Sequence, residues 1–159
     1  MRRGFSLLEV IIYVGLLAGV MAALVALFTA GLQTKALVAA QTRMAETERL
    51  VELTIQERLA ESSGVTVPAS GAAASLTATS SVPNESPAAF SLSGTSLDLQ
   101  LGIGAAQPLN PTDVRVTSFS VTRLDGAPAS VRVVIGYATD VTQHTLTATS
   151  TFTATLPYD

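Results

Sequence analysis

Residues 10–34 carry no charged side chain, twenty-five positions in a row broken only by Gly, Thr and Gln among apolar residues. A helix needs about 20 such residues to cross a hydrocarbon core about 30 Å thick. The run therefore predicts a transmembrane helix. It also accounts for the composition: 48% of the chain is hydrophobic and 13% charged, against about 25% charged in a typical soluble domain. The remaining residues suffice for one small domain. With no cysteine, neither a disulfide frame nor a thiolate metal site is available.

Arg2 and Arg3 precede the span and Lys35 follows it. Positive charge ahead of a first span stays cytoplasmic, so the excess of two over one predicts a single-pass protein of the cytoplasmic (inner) membrane. Its N-terminus lies in the cytoplasm and the rest of the chain outside. A secretory signal has an apolar core of only about 7 to 15 residues and a small-residue cleavage site. The run here is longer, and "FTAG" at 28–31 is a poor site.

Helical character continues beyond the span. Residues 35–62 contain no Gly or Pro and are rich in Ala, Leu, Glu, Gln and Arg, all strong helix formers. Leu37, Met44 and Val51 recur every seven residues, with Ala40, Thr47, Ile55 and Leu59 in the same stripe. Glu46, Arg49 and Glu52, three apart, line a wetter side. Gly64 is the expected stop. One helix over about 5–62 results, 5–34 forming its membrane half and 35–63 its outer half, with an apolar stripe that needs a cover.

From residue 64 onward the texture changes. Residues 69–96 are mostly Ala, Ser, Thr, Gly and Pro, which reads as a low-complexity loop with at most a short strand. Asn84-Glu85-Ser86 within it matches an N-glycosylation triplet, a pattern that chance also produces. Residues 96–101, 114–124, 130–139 and 145–156 alternate or are β-branched, and Asp125-Gly126 marks a hairpin turn, so three or four antiparallel strands are expected. Val114 and Val116 fall on one face of their strand and Phe119 and Val121 on the other, which a bulge near 117–118 reconciles. So small a sheet needs a partner, and the stripe of the outer helix supplies one. The expected fold class is α+β: a long N-terminal helix with a small C-terminal antiparallel β-sheet packed on its outer half, within a β-rich domain over 64–159.

The stretch "RRGFSLLE" at 2–9 followed by an uncharged helix resembles the processing site of type IV prepilins and type II secretion pseudopilins. The matching residues are Arg3, Gly4, Phe5, Ser6, Leu7, Leu8 and Glu9, at the edge of the span. The resemblance covers about residues 1–60. It implies a leader of residues 1–4, held at the anionic inner surface by Arg2 and Arg3. A prepilin peptidase would cut between Gly4 and Phe5 and methylate the new Phe5 amine. The helix would sit in membrane lipid, meet the inner-membrane assembly platform and pack with other pilin or pseudopilin subunits. There Glu9 would face the Phe5 amine of a neighbour. An unpaired carboxylate in a dry bundle is costly, so Glu9 would fix the register. The proline of the helix and the C-terminal cystine loop common in major pilins are both missing, which points to a minor pilin or pseudopilin.

The expected function is a structural subunit of a type IV pilus or a type II secretion-like pseudopilus. The alternative is a membrane-anchored binding module, an adhesin or a DNA-uptake receptor. Nucleic acid is disfavoured: from residue 65 on, Arg115, Arg123 and Arg132 face Glu85, Asp98, Asp113, Asp125, Asp140 and Asp159. Asp113, Asp125 and Asp140 are scattered singly, so no metal is expected. His144 stands alone in a strand, and Gly15 and Gly19 form a small-xxx-small pair in the span. No nucleophile–base pair or phosphate loop occurs; neither an enzyme nor a cofactor is expected.

Overall fold

The computed structural model describes residues 6–66, 74–80, 82, 84–124, 129–141 and 144–156. The chain divides into two compact units, Met1–Ala39 and Ala40–Asp159. One helix, α1 (Leu7–Ala60, 54 residues), supplies most of the first unit and enters the second.

In the first unit every described residue from 6 to 36 is exposed. The helix is apolar on all sides there and buries nothing within the chain. In the second unit the same helix is strictly one-sided. Met44, Thr47, Val51, Ile55 and Leu59 are buried, with Leu37 and Ala40 half-buried ahead of them. Thr47 tolerates burial because its hydroxyl donates to the Arg43 carbonyl (2.8 Å) one turn back. Full burial of side chains such as Val51, Ile55 and Leu59 contributes roughly 1.5–3 kcal/mol each.

The helix does not run on to Gly64. Ser62 Oγ donates to the Leu59 carbonyl (2.7 Å), satisfying the last turn, and Ser62 itself opens a strand. Gly64 lies within that strand, β1 (Ser62–Thr66), beside a register shift.

Among the described residues eight strands form two antiparallel sheets instead of one. β1, β2 (Ser75–Ser80), β3 (Ala88–Ser93), β4 (Ser96–Leu101) and β5 (Gln107–Pro108) follow in simple order in the first sheet. β6 (Arg115–Leu124), β7 (Ser130–Val141) and β8 (His144–Thr155) form the second. Of the three or four strands expected after residue 95, all four candidate stretches are present, as β4, β6, β7 and β8. The loop expected at 69–96 is a misreading over much of its length, because β2 and β3 lie within it. Their inward residues alternate correctly (Leu76 and Ala78, Ala88 and Phe90) and pair Leu76 with Phe90 and Ala78 with Ala88. The strands are held by a few buried side chains amid small ones, too sparse to look apolar. Gly94 (φ +62°) makes the tight β3–β4 turn that follows.

The expected bulge is present. Between Val116 and Ser118 the β6–β7 register shifts, so Val114 and Val116 ahead of it and Phe119 and Val121 beyond it are all buried. Gly136 sits opposite: a Cβ there would lie 2.5 Å from Ser118 Oγ and 2.7 Å from Thr117 Oγ1. Asp125 and Gly126 lie outside the described residues.

The helix stripe and both sheets share one apolar core, with Leu76, Phe90, Leu97, Val121, Ile135 and Tyr137 among its largest members. Asn110 sits at the junction of the sheets, nearly buried. Its Oδ1 accepts from the Leu97 N–H (2.7 Å), and its Nδ2 donates to the carbonyls of Val114 (2.6 Å) and Thr95 (3.2 Å). Val116 N–H donates to the Thr95 carbonyl (2.9 Å), so both sheets converge on one hinge of hydrogen bonds. Ion pairs tie the helix down at the surface: Arg43 to Asp113 (2.7 Å) and Arg58 to Glu85 (2.5 Å).

Candidate assembly segment

The described residues of the first helical turn are Ser6, Leu7, Leu8 and Glu9. Ser6 caps α1. The Glu9 N–H donates to the Ser6 carbonyl (3.0 Å) and to Ser6 Oγ (3.3 Å), and the Val10 N–H reaches the same carbonyl (3.3 Å). Ser-x-x-Glu is the capping-box spacing, in which the side chain of the first residue satisfies an otherwise orphaned N–H of the fourth. The capping role belongs to Ser6, and residue 9 contributes only its backbone N–H. The Glu9 carboxylate also stands at the positive end of the helix dipole, where an anion is favoured. Arg2, Arg3, Gly4 and Phe5 lie outside the described residues.

Beyond that turn the segment offers only apolar surface. Leu17 is 64% exposed, Leu27 73% and Phe28 70%, and no side interrupts the pattern with charge before Lys35. A helix apolar all round is stable only when wholly surrounded, by lipid or by other helices. By length and composition it can cross a membrane. A Cβ added at Gly15 or Gly19 would meet nothing within 4 Å, so both glycines leave open shelves for a neighbouring helix.

Among its described residues the second unit presents no rival constellation. Asp113 is engaged by Arg43, whose hydrogen bond holds its carboxyl below the ordinary value. Asp140 pairs with Arg115 (2.7 Å) and accepts from Thr145 Oγ1 (2.8 Å). Among the described residues no group of three or more His, Cys, Asp or Glu is placed to hold a metal ion. His144 is an exposed residue at the start of β8. Asn84 is exposed in a turn, and Glu85 of its triplet is the ion-pair partner of Arg58.

The Tyr137 hydroxyl is the one polar side-chain atom among the described residues that is buried without a hydrogen-bond partner. Burial, and then the nearby Glu48 and Glu52, push that phenol well above its usual range.

What stands out is a capped helix half that is apolar on every side and unburied, continuous with a half buried along one stripe. Comparison with protein-family models, curated proteins and solved structures found no match, so any functional reading rests on these residues and this geometry.

Proposed function

We propose that the chain is a structural subunit, of the minor kind, of a type IV pilus or type II secretion-like pseudopilus. In this reading a prepilin peptidase cuts between Gly4 and Phe5 and methylates Phe5. The apolar half of α1 then passes from lipid into the shared core of a filament. The supporting observation is the coincidence of two things at one place: the ordered string Gly4-Phe5-Ser6-Leu7-Leu8-Glu9, and a helix start from which every described residue to 36 is unburied. A long apolar N-terminal helix followed by antiparallel sheet is compatible with a pilin-like fold.

Glu9 has a definite task in this reading. In lipid near the interface its charge is tolerable. In a dry helix bundle it requires the Phe5 amine of the next subunit, and a subunit in the wrong axial register would lack that partner.

In a second reading the Glu9 carboxylate has no partner beyond the positive end of the helix dipole, and the chain is an anchored binding module. Substitution separates the two. Glu9→Gln keeps a capping-box residue and removes the charge. The filament reading expects normal processing of this variant and much reduced recovery in sheared filaments, as with Glu9→Ala. Undiminished recovery of Glu9→Gln would overturn the charge-pairing role, since the backbone N–H of residue 9 keeps its bond to Ser6 in both variants.

A further inference from the structure

A sheet edge is a row of unpaired N–H and C=O groups, and folded proteins blunt such edges with brevity, charge, proline or a bulge. Three of the four edges here are blunted. β1 is five residues long and irregular between Ser62 and Gly64. β5 has two residues, one of them Pro108. β6 carries Arg115 and Arg123, contains the 116–118 bulge, and has its Val116 N–H taken by Thr95.

β8 has none of these devices. It runs twelve residues, "HTLTATSTFTAT", with no Lys, Arg, Asp, Glu, Pro or Gly. Its register with β7 is unbroken from Ser130↔Thr155 to Val141↔His144, and no other described strand pairs with it. The core margin beneath it is open in part: Leu146, Ala148 and Ala154 pack on the core but are only partly buried, while Ser150 and Phe152 between them are buried.

The strand is moreover complementary to itself. Turned antiparallel about Ser150, it sets Ala148 against Phe152 and Leu146 against Ala154 on the core side, a large side chain opposite a small one each time. On the outer side it sets Thr149 against Thr151, Thr147 against Thr153 and Thr145 against Thr155. All six of these threonines are exposed in the single chain. Thr–Thr and large–small apolar pairs are favourable cross-strand neighbours, and even-to-even pairing keeps both core faces on the same side.

We propose that β8 is a homophilic edge, to which a second copy of this chain adds its own β8, antiparallel and centred on Ser150. The pairing closes on a two-fold axis normal to the sheet and does not propagate. That axis reverses the buried helix stripe of residues 44–59 in the second copy, so the chain enters the two domains from opposite ends. The contact therefore joins copies presented from opposing directions, and it is distinct from the contact between neighbours in one filament. It does not rest on the filament reading.

The chain has no cysteine, so single cysteines report the register cleanly. In the full chain in detergent, Ser150→Cys meets its own counterpart across the axis and is expected to give a disulfide-linked dimer on mild oxidation. Thr145→Cys lies about 33 Å from its counterpart, ten residues along the strand, and is expected to stay monomeric. Cross-linking at both positions would mean parallel in-register stacking; cross-linking at neither, that the edge serves another strand or none. Either result overturns the proposal. Charge then tests the same register. Thr147→Lys with Thr153→Lys puts like charges opposite one another twice and should lower the Ser150→Cys dimer fraction about tenfold. Thr147→Lys with Thr153→Glu puts opposite charges there and should restore it. Far-UV circular dichroism and unfolding midpoints confirm that the variants are folded. A Lys/Lys variant that is folded and dimerises like the parent refutes the pairing.

Discussion

The two halves of α1 are one continuous helix built on different rules. Up to residue 36 no side chain is buried, and apolar residues occupy every side. From Met44 to Leu59 the buried positions recur every three or four residues and the remainder are exposed or half-buried. The second pattern belongs to a helix whose partner is its own chain, so one stripe suffices. The first is that of a helix long and apolar enough to cross a membrane, with no stripe set apart for its own chain. The contrast locates which side chains of the helix stabilise the domain and which do not.

Truncating one side chain in each half tests the contrast most strongly. Ile55→Ala should cost about 2–5 kcal/mol of domain stability, through lost burial and the cavity left among both sheets. Leu17→Ala, which removes as much apolar surface from the exposed half, should leave the unfolding midpoint of the domain unchanged. Chemical denaturation of both variants in the same detergent measures this, and equal midpoints would erase the distinction.

A smaller effect is expected at Asn110. Asn110→Ala strands the Leu97 N–H and the Val114 carbonyl near the junction of the sheets, each such loss costing about 1–3 kcal/mol. The same denaturation experiment reads it, and a loss well under 1 kcal/mol would mean that solvent replaces the side chain.

Tyr137→Phe should have the smallest effect and the opposite sign. Its hydroxyl is buried without a partner, so removing it should be neutral or stabilise by up to about 1 kcal/mol at neutral pH. The phenol's raised folded-state pKa means the folded chain holds this proton more tightly than the unfolded chain does. Its contribution is thus fully present below the unfolded value near 10 and falls as pH rises above it. The parent should lose stability above pH 10 more steeply than Tyr137→Phe; parallel alkaline limbs would contradict this environment for the phenol.

What was legible in the sequence follows the size of the side chains. The outer stripe was readable because Met44, Val51, Ile55 and Leu59 are large and regularly spaced. The bulge at 116–118 was readable because Val116 and Phe119 could not otherwise share a core. β2 and β3 were missed because Ala and Ser dominate them, and only pairing across strands shows Leu76 meeting Phe90. The helix ends within two residues of the expected 62, but Gly64 is not its stop: a hydroxyl of Ser62 turned back onto Leu59 closes the last turn. Asn110 gave no signal at all, since its partners are backbone groups up to fifteen residues away. At the candidate segment, one string of residues encodes both a cap and the resemblance, and only the second was read.

The most direct test of the assembly reading is the intact mass and N-terminal sequence of the full chain co-expressed with a prepilin peptidase. The account predicts a mature chain that begins at N-methylated Phe5, and no cleavage in Gly4→Val. An intact Met1, or a cut near Ala30, would contradict it.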